Sequence, residues 1–144
     1  MGEGTTQKKP IVYQDQIEVR FSELDPYGHL NAQHYVDYVL TSRWSFLRKR
    51  FQMTAQDFVK KGLGFFLNHF SIDYYRPVLE GQTVTIRSHA IELKSEKVVI
   101  EFNISNPSLD ALFARGKLEL TSINLATLRP QTLPDWAAAF LFES

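Results

Sequence analysis

"ELDPYGHLNAQHYVDY", residues Glu23–Tyr38, is the stretch on which the reading of this chain turns. Its first nine residues bring together an acid, a proline, a glycine, a histidine and an asparagine, and the rest turns amphipathic. Upstream, Gln16–Ser22 alternates: Ile17, Val19 and Phe21 share one side, Glu18, Arg20 and Ser22 the other. Period two predicts a strand with one buried face. Downstream, Val36, Leu40, Trp44, Leu47 and Phe51 form an apolar stripe, with Tyr35, Val39, Ser42 and Phe46 beside it. This spacing predicts a helix of about 20 residues, mostly enclosed. Asn31 is its expected N-cap. The basic run Arg48–Arg50 suits the negative end of the helix dipole.

The quoted stretch is therefore a strand-to-helix corner, and its residue types allow two readings. A helix N-terminus offers unpaired N–H groups and a partial positive charge. Gly28 permits close approach of a ligand or a positive φ. Those donors could polarise a carbonyl, and the Asp25 carboxylate could attack its carbon or deprotonate a water. Pro26 biases Asp25 toward an extended conformation and stiffens the loop. The other reading is plainer: Asp25 and Gly28 form a turn, His29 bonds to the loop and Tyr35 belongs to the core. Residue chemistry alone favours the turn.

The rest of the chain supplies the frame. Thr54–Gly62 predicts a short helix with Thr54 and Asp57 at near-capping-box spacing and Gly62 as its stop. Four strands follow: one through Phe70, Ile72 and Tyr74; one through Val84, Ile86, Ser88 and Ala90; one through Val98, Ile100, Phe102 and Ile104; and Phe113–Leu125. Lys94–Lys97 reads as a hairpin tip and Asn106–Asp110 as a turn. A short helix is expected from Pro134. Strand, long helix and sequential strands predict an α+β fold, an antiparallel sheet of about five strands with the helix on one face. The opposite face carries His69, Asp73, Thr83, Arg87 and Glu101, and its edge strands invite pairing with a second copy. The expected domain covers 11–144, preceded by a polar, flexible tail over 1–10.

Composition narrows the function. The 144 residues carry a net charge of +0, which argues against a general nucleic-acid binder. There is no cysteine, so disulfides, thiolate catalysis and cysteine-bound metal drop out. His29, His34, His69 and His89 make no H-x-x-x-H pair, and no metal site is expected. The start shows no apolar signal segment and no run is long enough to span a bilayer, so a cytoplasmic protein without membrane partners is expected. No nucleophile elbow, P-loop or dinucleotide fingerprint is present.

Asp25, Gly28, His29, Asn31, Tyr35 and Arg43 fall on a D-x-x-G-H-x-N-x-x-x-Y pattern followed by a helix with a central arginine. In this the chain resembles the 4-hydroxybenzoyl-CoA thioesterase-like family of hotdog folds. Phe70–Ser105 and the proline-punctuated ending at Arg129–Trp136 resemble the same family. The resemblance implies a long helix wrapped by an antiparallel sheet, a homodimer that often assembles to a homotetramer, and hydrolysis of acyl-CoA or aryl-CoA thioesters. Coenzyme A would be part of the substrate and no cofactor would be needed. It implies Asp25 as nucleophile or general base, the N–H at or beside Gly28 as oxyanion donor, and His29 and Tyr35 as orienting groups. Asn31 joins the substrate-contact candidates, with Arg76, Arg87 and Lys94 for the CoA phosphates. The chain departs from the family at Ala32, where many members have asparagine, and at Leu40 and Thr41, where many have acids. A helix-borne catalytic carboxylate is thereby disfavoured, since Asp37 reads as solvent-facing. An acyl-carrier-protein thioesterase and a non-catalytic acyl-ligand binder are the alternatives.

Overall fold

The computed structural model describes residues 8–143. Strand β1 (Tyr13–Glu18) leads through a 3-10 turn at Phe21–Glu23 into helix α1 (His34–Phe51). Helix α2 (Ala55–Lys60) follows, then strands β2 (Leu63–Tyr74), β3 (Thr83–Lys94), β4 (Lys97–Ser105) and β5 (Leu112–Asn124). A two-residue strand β6 (Arg129–Pro130) and a short helix α3 (Asp135–Ala138) complete the chain. The main strands are ordered β1-β3-β4-β5-β2, all neighbours antiparallel, with β6 added to β5. This is the hotdog arrangement: one long helix against the inner face of a curled antiparallel sheet.

Alternation accounts for the inner face. Val84, Ile86, Ser88 and Ala90 of β3 and Val98, Ile100, Phe102 and Ile104 of β4 are all buried, as their period-two spacing predicts. β2 changes phase at a bulge between Leu67 and His69. One extra residue carries the inward set from Leu63, Phe65 and Leu67 to Phe70 and Ile72, and bends the sheet around the helix. α1 buries Tyr35, Tyr38, Val39, Ser42, Arg43 and Leu47 most deeply. The stripe Val36, Leu40 and Trp44 is only half-buried. The Thr54–Asp57 capping box is present, and Gly62 follows α2 at φ +81°.

Three expectations are corrected. The first strand begins at Tyr13 and stops at Glu18, and Phe21 is 77% exposed instead of inward-facing. The cause is Glu23, whose carboxylate accepts the Arg20 N–H at 3.0 Å and curls the chain before the alternation can continue. Helix α1 begins at His34, not directly after Asn31. Asn31 caps the preceding turn: its Oδ1 accepts the Gln33 N–H (3.2 Å) and its C=O the His34 N–H (3.0 Å). Of the expected tail, residues 1–7 lie outside the described residues, while Lys9 and Pro10 pair with the chain end. The Glu143 N–H donates to the Lys9 carbonyl at 2.8 Å and Pro10 bridges Phe142.

One position in the sheet tolerates no side chain. A Cβ on Gly116 would lie 2.0 Å from the Ser71 carbonyl oxygen and 2.7 Å from the Phe102 ring. That ring stacks on Phe70 at 5.3 Å, so neither neighbour can yield freely. Gly116→Ala is expected to destabilise the fold by about 1–3 kcal/mol through overpacking, read as a lower urea midpoint.

Candidate active site

The corner at Asp25 is a small ladder closed by a turn. The Asn31 N–H donates to the Glu23 carbonyl (2.8 Å), and the Asp25 N–H to the His29 carbonyl (2.7 Å). Between them Leu24 and Leu30 form an antiparallel bridge. The Asp25 side chain stabilises the turn: its Oδ1 accepts the N–H groups of Tyr27 (2.9 Å) and His29 (3.0 Å). Gly28, at φ +80°, turns its own N–H to the Asp25 carbonyl at 3.1 Å. The Leu30 N–H then donates to the Val78 carbonyl (2.7 Å), tying the corner to the segment between β2 and β3. Val78 is fully buried, so this anchor is part of the core.

Below the turn sits a carboxylate that sequence reading passed over. Glu23 is 5% exposed. Its Oε1 accepts the Tyr38 hydroxyl at 2.6 Å, and its Oε2 the Arg20 guanidinium at 2.9 Å. Burial alone would raise its pKa. The hydrogen bonds from Arg20 and Tyr38, the Arg20 N–H and the Arg20 charge together outweigh that and bring it down to about 2. Burial and the same carboxylate push the Tyr38 phenol well above the ordinary range.

Tyr35 lies one turn into α1, 3% exposed, its ring edge-on to Tyr74 of β2 at 4.8 Å. Burial, with the charges of Tyr74 and Asp25, pushes its hydroxyl up to about 12. The phenol therefore stays protonated at neutral pH and can donate. Asp25 is half-buried, and its Oδ2 accepts no hydrogen bond among the described residues. One carboxylate oxygen thus holds the turn while the other is free. The Ala32 N–H, just before α1, likewise has no acceptor among the described residues. A Cβ placed on Gly28 would meet nothing within 4 Å, so the space above the turn is open.

Further along α1 the sheet and helix enclose an apolar cavity of about 170 Å³, lined by Leu40, Trp44, Phe58, Phe65 and Leu120 among others. Its one charged lining residue is Arg43, 7% exposed. The guanidinium lies 3.9 Å from the centre of the Tyr13 ring and donates to the Ser88 hydroxyl at 2.8 Å. Burial lowers its pKa to about 10, with Tyr13 opposing, so it stays charged at neutral pH.

Comparison with known proteins identifies the lineage. Residues 19–141 match the profile of the thioesterase-like superfamily. The chain belongs to that superfamily. It is 28% identical over 123 residues to the long-chain acyl-CoA thioesterase FadM of Escherichia coli, spanning 83% of this chain and 89% of FadM. In structure it resembles the 1,4-dihydroxy-2-naphthoyl-CoA thioesterase Slr0204 of Synechocystis, with TM-score 0.77, 18% identity and coverage of 90% and 95% of the two chains. It also resembles the DHNA-CoA thioesterase of Staphylococcus aureus, with TM-score 0.78, 21% identity and coverage of 90% and 88%. These two structural matches bear on the fold.

Within this thioesterase-family fold, Asp25, Gly28, His29 and Asn31 share one corner and Tyr35 stands beneath it. Arg76 lies in the adjoining segment, two residues before Val78, where its charge helps lower the Asp110 carboxyl beyond that residue's hydrogen bonds. Arg87 lies on the outer sheet face, paired in register with Gln14 and Asn103. Lys94 lies seven positions further along β3, roughly 23 Å away, in an ion pair with Glu92 at 3.6 Å. The three cations therefore do not form one cluster within the chain. Sequence reading missed Glu23, Tyr38, Tyr74 and the Tyr13–Ser88 seat of Arg43. Glu23 stood in the quoted stretch, but its Tyr38 partner lies fifteen residues away, beyond any local motif.

Glu23 predicts an acid limb of stability. Its folded pKa of about 2 is below the unfolded value of 4.5, so its contribution is fully present above pH 4.5 and lost as pH falls toward 2. Glu23→Gln is expected to lose up to about 3 kcal/mol at neutral pH and to flatten urea-derived stability between those two pH values.

Proposed function

We propose that this thioesterase-family enzyme hydrolyses acyl-CoA or aryl-CoA thioesters to the free acid and coenzyme A, with Asp25 as nucleophile or general base. The observation that carries this reading is the divided carboxylate: Oδ1 is locked by two backbone N–H groups, Oδ2 accepts no hydrogen bond among the described residues, and the space at Gly28 in the same turn is open. A carboxylate already held by its turn costs little reorganisation when a thioester arrives. As a base it takes a proton from water, whose oxygen adds to the carbonyl carbon. The C–S bond then breaks and the thiolate leaves, gaining the proton. As a nucleophile it forms a mixed anhydride that water opens to the same products. The similarity to FadM, a long-chain acyl-CoA thioesterase, supports the substrate class.

The developing oxyanion needs donors. The free Ala32 N–H at the start of α1 fits that role better than the Gly28 N–H, which already serves the Asp25 carbonyl. Gly28 contributes room for approach. Tyr35, held protonated by its high pKa, can donate to the carbonyl oxygen or orient water, and His29 can flank the leaving sulfur. Asn31 holds the last turn of the corner in register. Arg76, beside the site segment, is the cation best placed for CoA phosphates.

Self-association belongs to the same reading. Among the described residues β2, twelve residues long, is hydrogen-bonded on one side only, to β5. Its exposed edge, with exposed Phe66 and Tyr74, suits pairing with a second copy into a continuous sheet. Light scattering is expected to give a dimer or tetramer; a monomer at micromolar concentration would remove this part of the proposal.

Asp25→Asn keeps an Oδ1 that can still accept from Tyr27 and His29, so the turn survives while the charge is lost. kcat on acyl-CoA is expected to fall about 10²- to 10⁴-fold with the melting temperature little changed. Wild-type activity in that variant would sink the assignment. Running acyl-carrier-protein thioesters of matched chain length beside the CoA series identifies the carrier.

A further inference from the structure

Arg43 is a charged group in a place that should not hold one. The described residues place no carboxylate within 4 Å of it. Of the five N–H donors on a guanidinium, only one is matched, by Ser88. The aromatic face of Tyr13 offsets part of the desolvation, yet Tyr13 is itself committed through its hydroxyl to the Phe140 carbonyl at 2.7 Å. The three helix positions before Arg43 are Leu40, Thr41 and Ser42, none able to neutralise it. Leu40 instead joins the apolar wall of the same cavity. An unpaired buried charge is costly and persists where something compensates it in use.

The cavity and its approach suggest what that is. From Tyr35 the half-buried stripe Val36, Leu40 and Trp44 runs along α1, and Leu40 and Trp44 line the cavity. Arg43 lies eight residues beyond Tyr35, roughly 12 Å along the helix axis. A volume of about 170 Å³ is the size that holds one six-membered ring. An acyl group whose carbonyl sits at Asp25 would thus bring its far end to the guanidinium.

We infer that Arg43 selects acyl groups whose distal end, a short chain or single ring, carries an acceptor oxygen, with a carboxylate preferred over a hydroxyl. This rests on the thioesterase reading above and names the substrate class for the same site. A carboxylate end would take a two-point, charge-assisted bond from the unmatched guanidinium N–H groups. A hydroxyl would accept one bond. A methyl end would leave the charge buried and unpaired, which is how a polar site rejects an analogue lacking the matching group.

The full-length chain is assayed on three CoA thioesters of equal length: octanoyl-CoA, ω-hydroxyoctanoyl-CoA and the monothioester of octanedioic acid. Phenylpropanoyl-CoA and its para-hydroxy analogue test the ring form. Calorimetric titration with free octanoate and octanedioate gives a binding readout that needs no turnover. kcat/KM is expected to be at least tenfold higher for the oxygen-tailed member of each set. Arg43→Met is expected to reverse that order, and Arg43→Lys to keep the carboxylate preference while losing most of the hydroxyl preference. Removing an unpaired buried charge should leave the melting temperature of Arg43→Met no lower than wild type. If octanoyl-CoA is preferred by the wild-type chain, or if Arg43→Met keeps the tail preference, the inference falls while the thioesterase reading stands. If no thioester is hydrolysed but octanedioate binds at least tenfold tighter than octanoate in an Arg43-dependent way, the hydrolytic reading falls and the tail recognition stands. A loss of more than about 5 °C in melting temperature with unchanged tail preference assigns Arg43 a structural role and overturns the inference.

Discussion

The buried carboxylate of Glu23 sets the geometry around which the rest of this molecule is arranged. It ends β1 by holding the Arg20 N–H, takes the Tyr38 hydroxyl of α1, and stands next to the ladder that carries Asp25. One side chain therefore fixes three things at once: where the strand stops, how the helix is rotated, and how the Asp25 turn sits between them. A buried carboxylate costs free energy unless its oxygens are matched. Here both oxygens are matched, so the cost becomes specificity: other arrangements of the corner leave the charge bare. The short, well-aligned bond to Tyr38 is also why α1 can present Tyr35, one turn earlier, beneath Asp25.

The turn reading and the catalytic proposal for Asp25 draw on the same geometry. Asp25 is a turn residue in the full sense, with Oδ1 accepting two N–H groups. The same bonds restrict its carboxylate to one orientation, where a carboxylate on a free loop would sample many. Turn chemistry is the means of preorganisation.

Most of the frame could be read from the chain because it is written in local periodicity. Period two in Val84–Ala90 and Val98–Ile104 placed both strands and their inner faces, and the Thr54–Asp57 spacing placed a cap. The D-x-x-G-H-x-N pattern located the corner. What escaped were relations between distant residues and local reversals of the pattern. Alternation carried the first strand through Phe21 because nothing within that segment announces that Glu23 will reach back. The depth order along α1 was also hidden: its helical spacing shows two adjacent stripes, but only the sheet decides that Tyr35, Val39 and Ser42 go deepest while Val36, Leu40 and Trp44 stay half-open. The seat of Arg43 needs Tyr13 and Ser88 to meet across the β1–β3 register, which no helical pattern encodes.

The two stripes of α1 divide the labour of the fold. The deep one, through Tyr35, Val39 and Ser42, binds helix to sheet and contributes stability that does not depend on any ligand. The half-open one contributes less, since its side chains are not fully removed from water, and its Leu40 and Trp44 line the cavity. Arg43 belongs to the deep stripe by position but borders the cavity by contact, so it sits where the two meet. An apolar residue there would make a better core. Retaining a guanidinium, with Leu40 and Thr41 rather than acids before it, leaves the positive charge unmatched by the chain itself. The stability forgone at that position is the free energy an incoming oxygen can recover, so a contact distant from the reacting bond can shape substrate choice through differential binding.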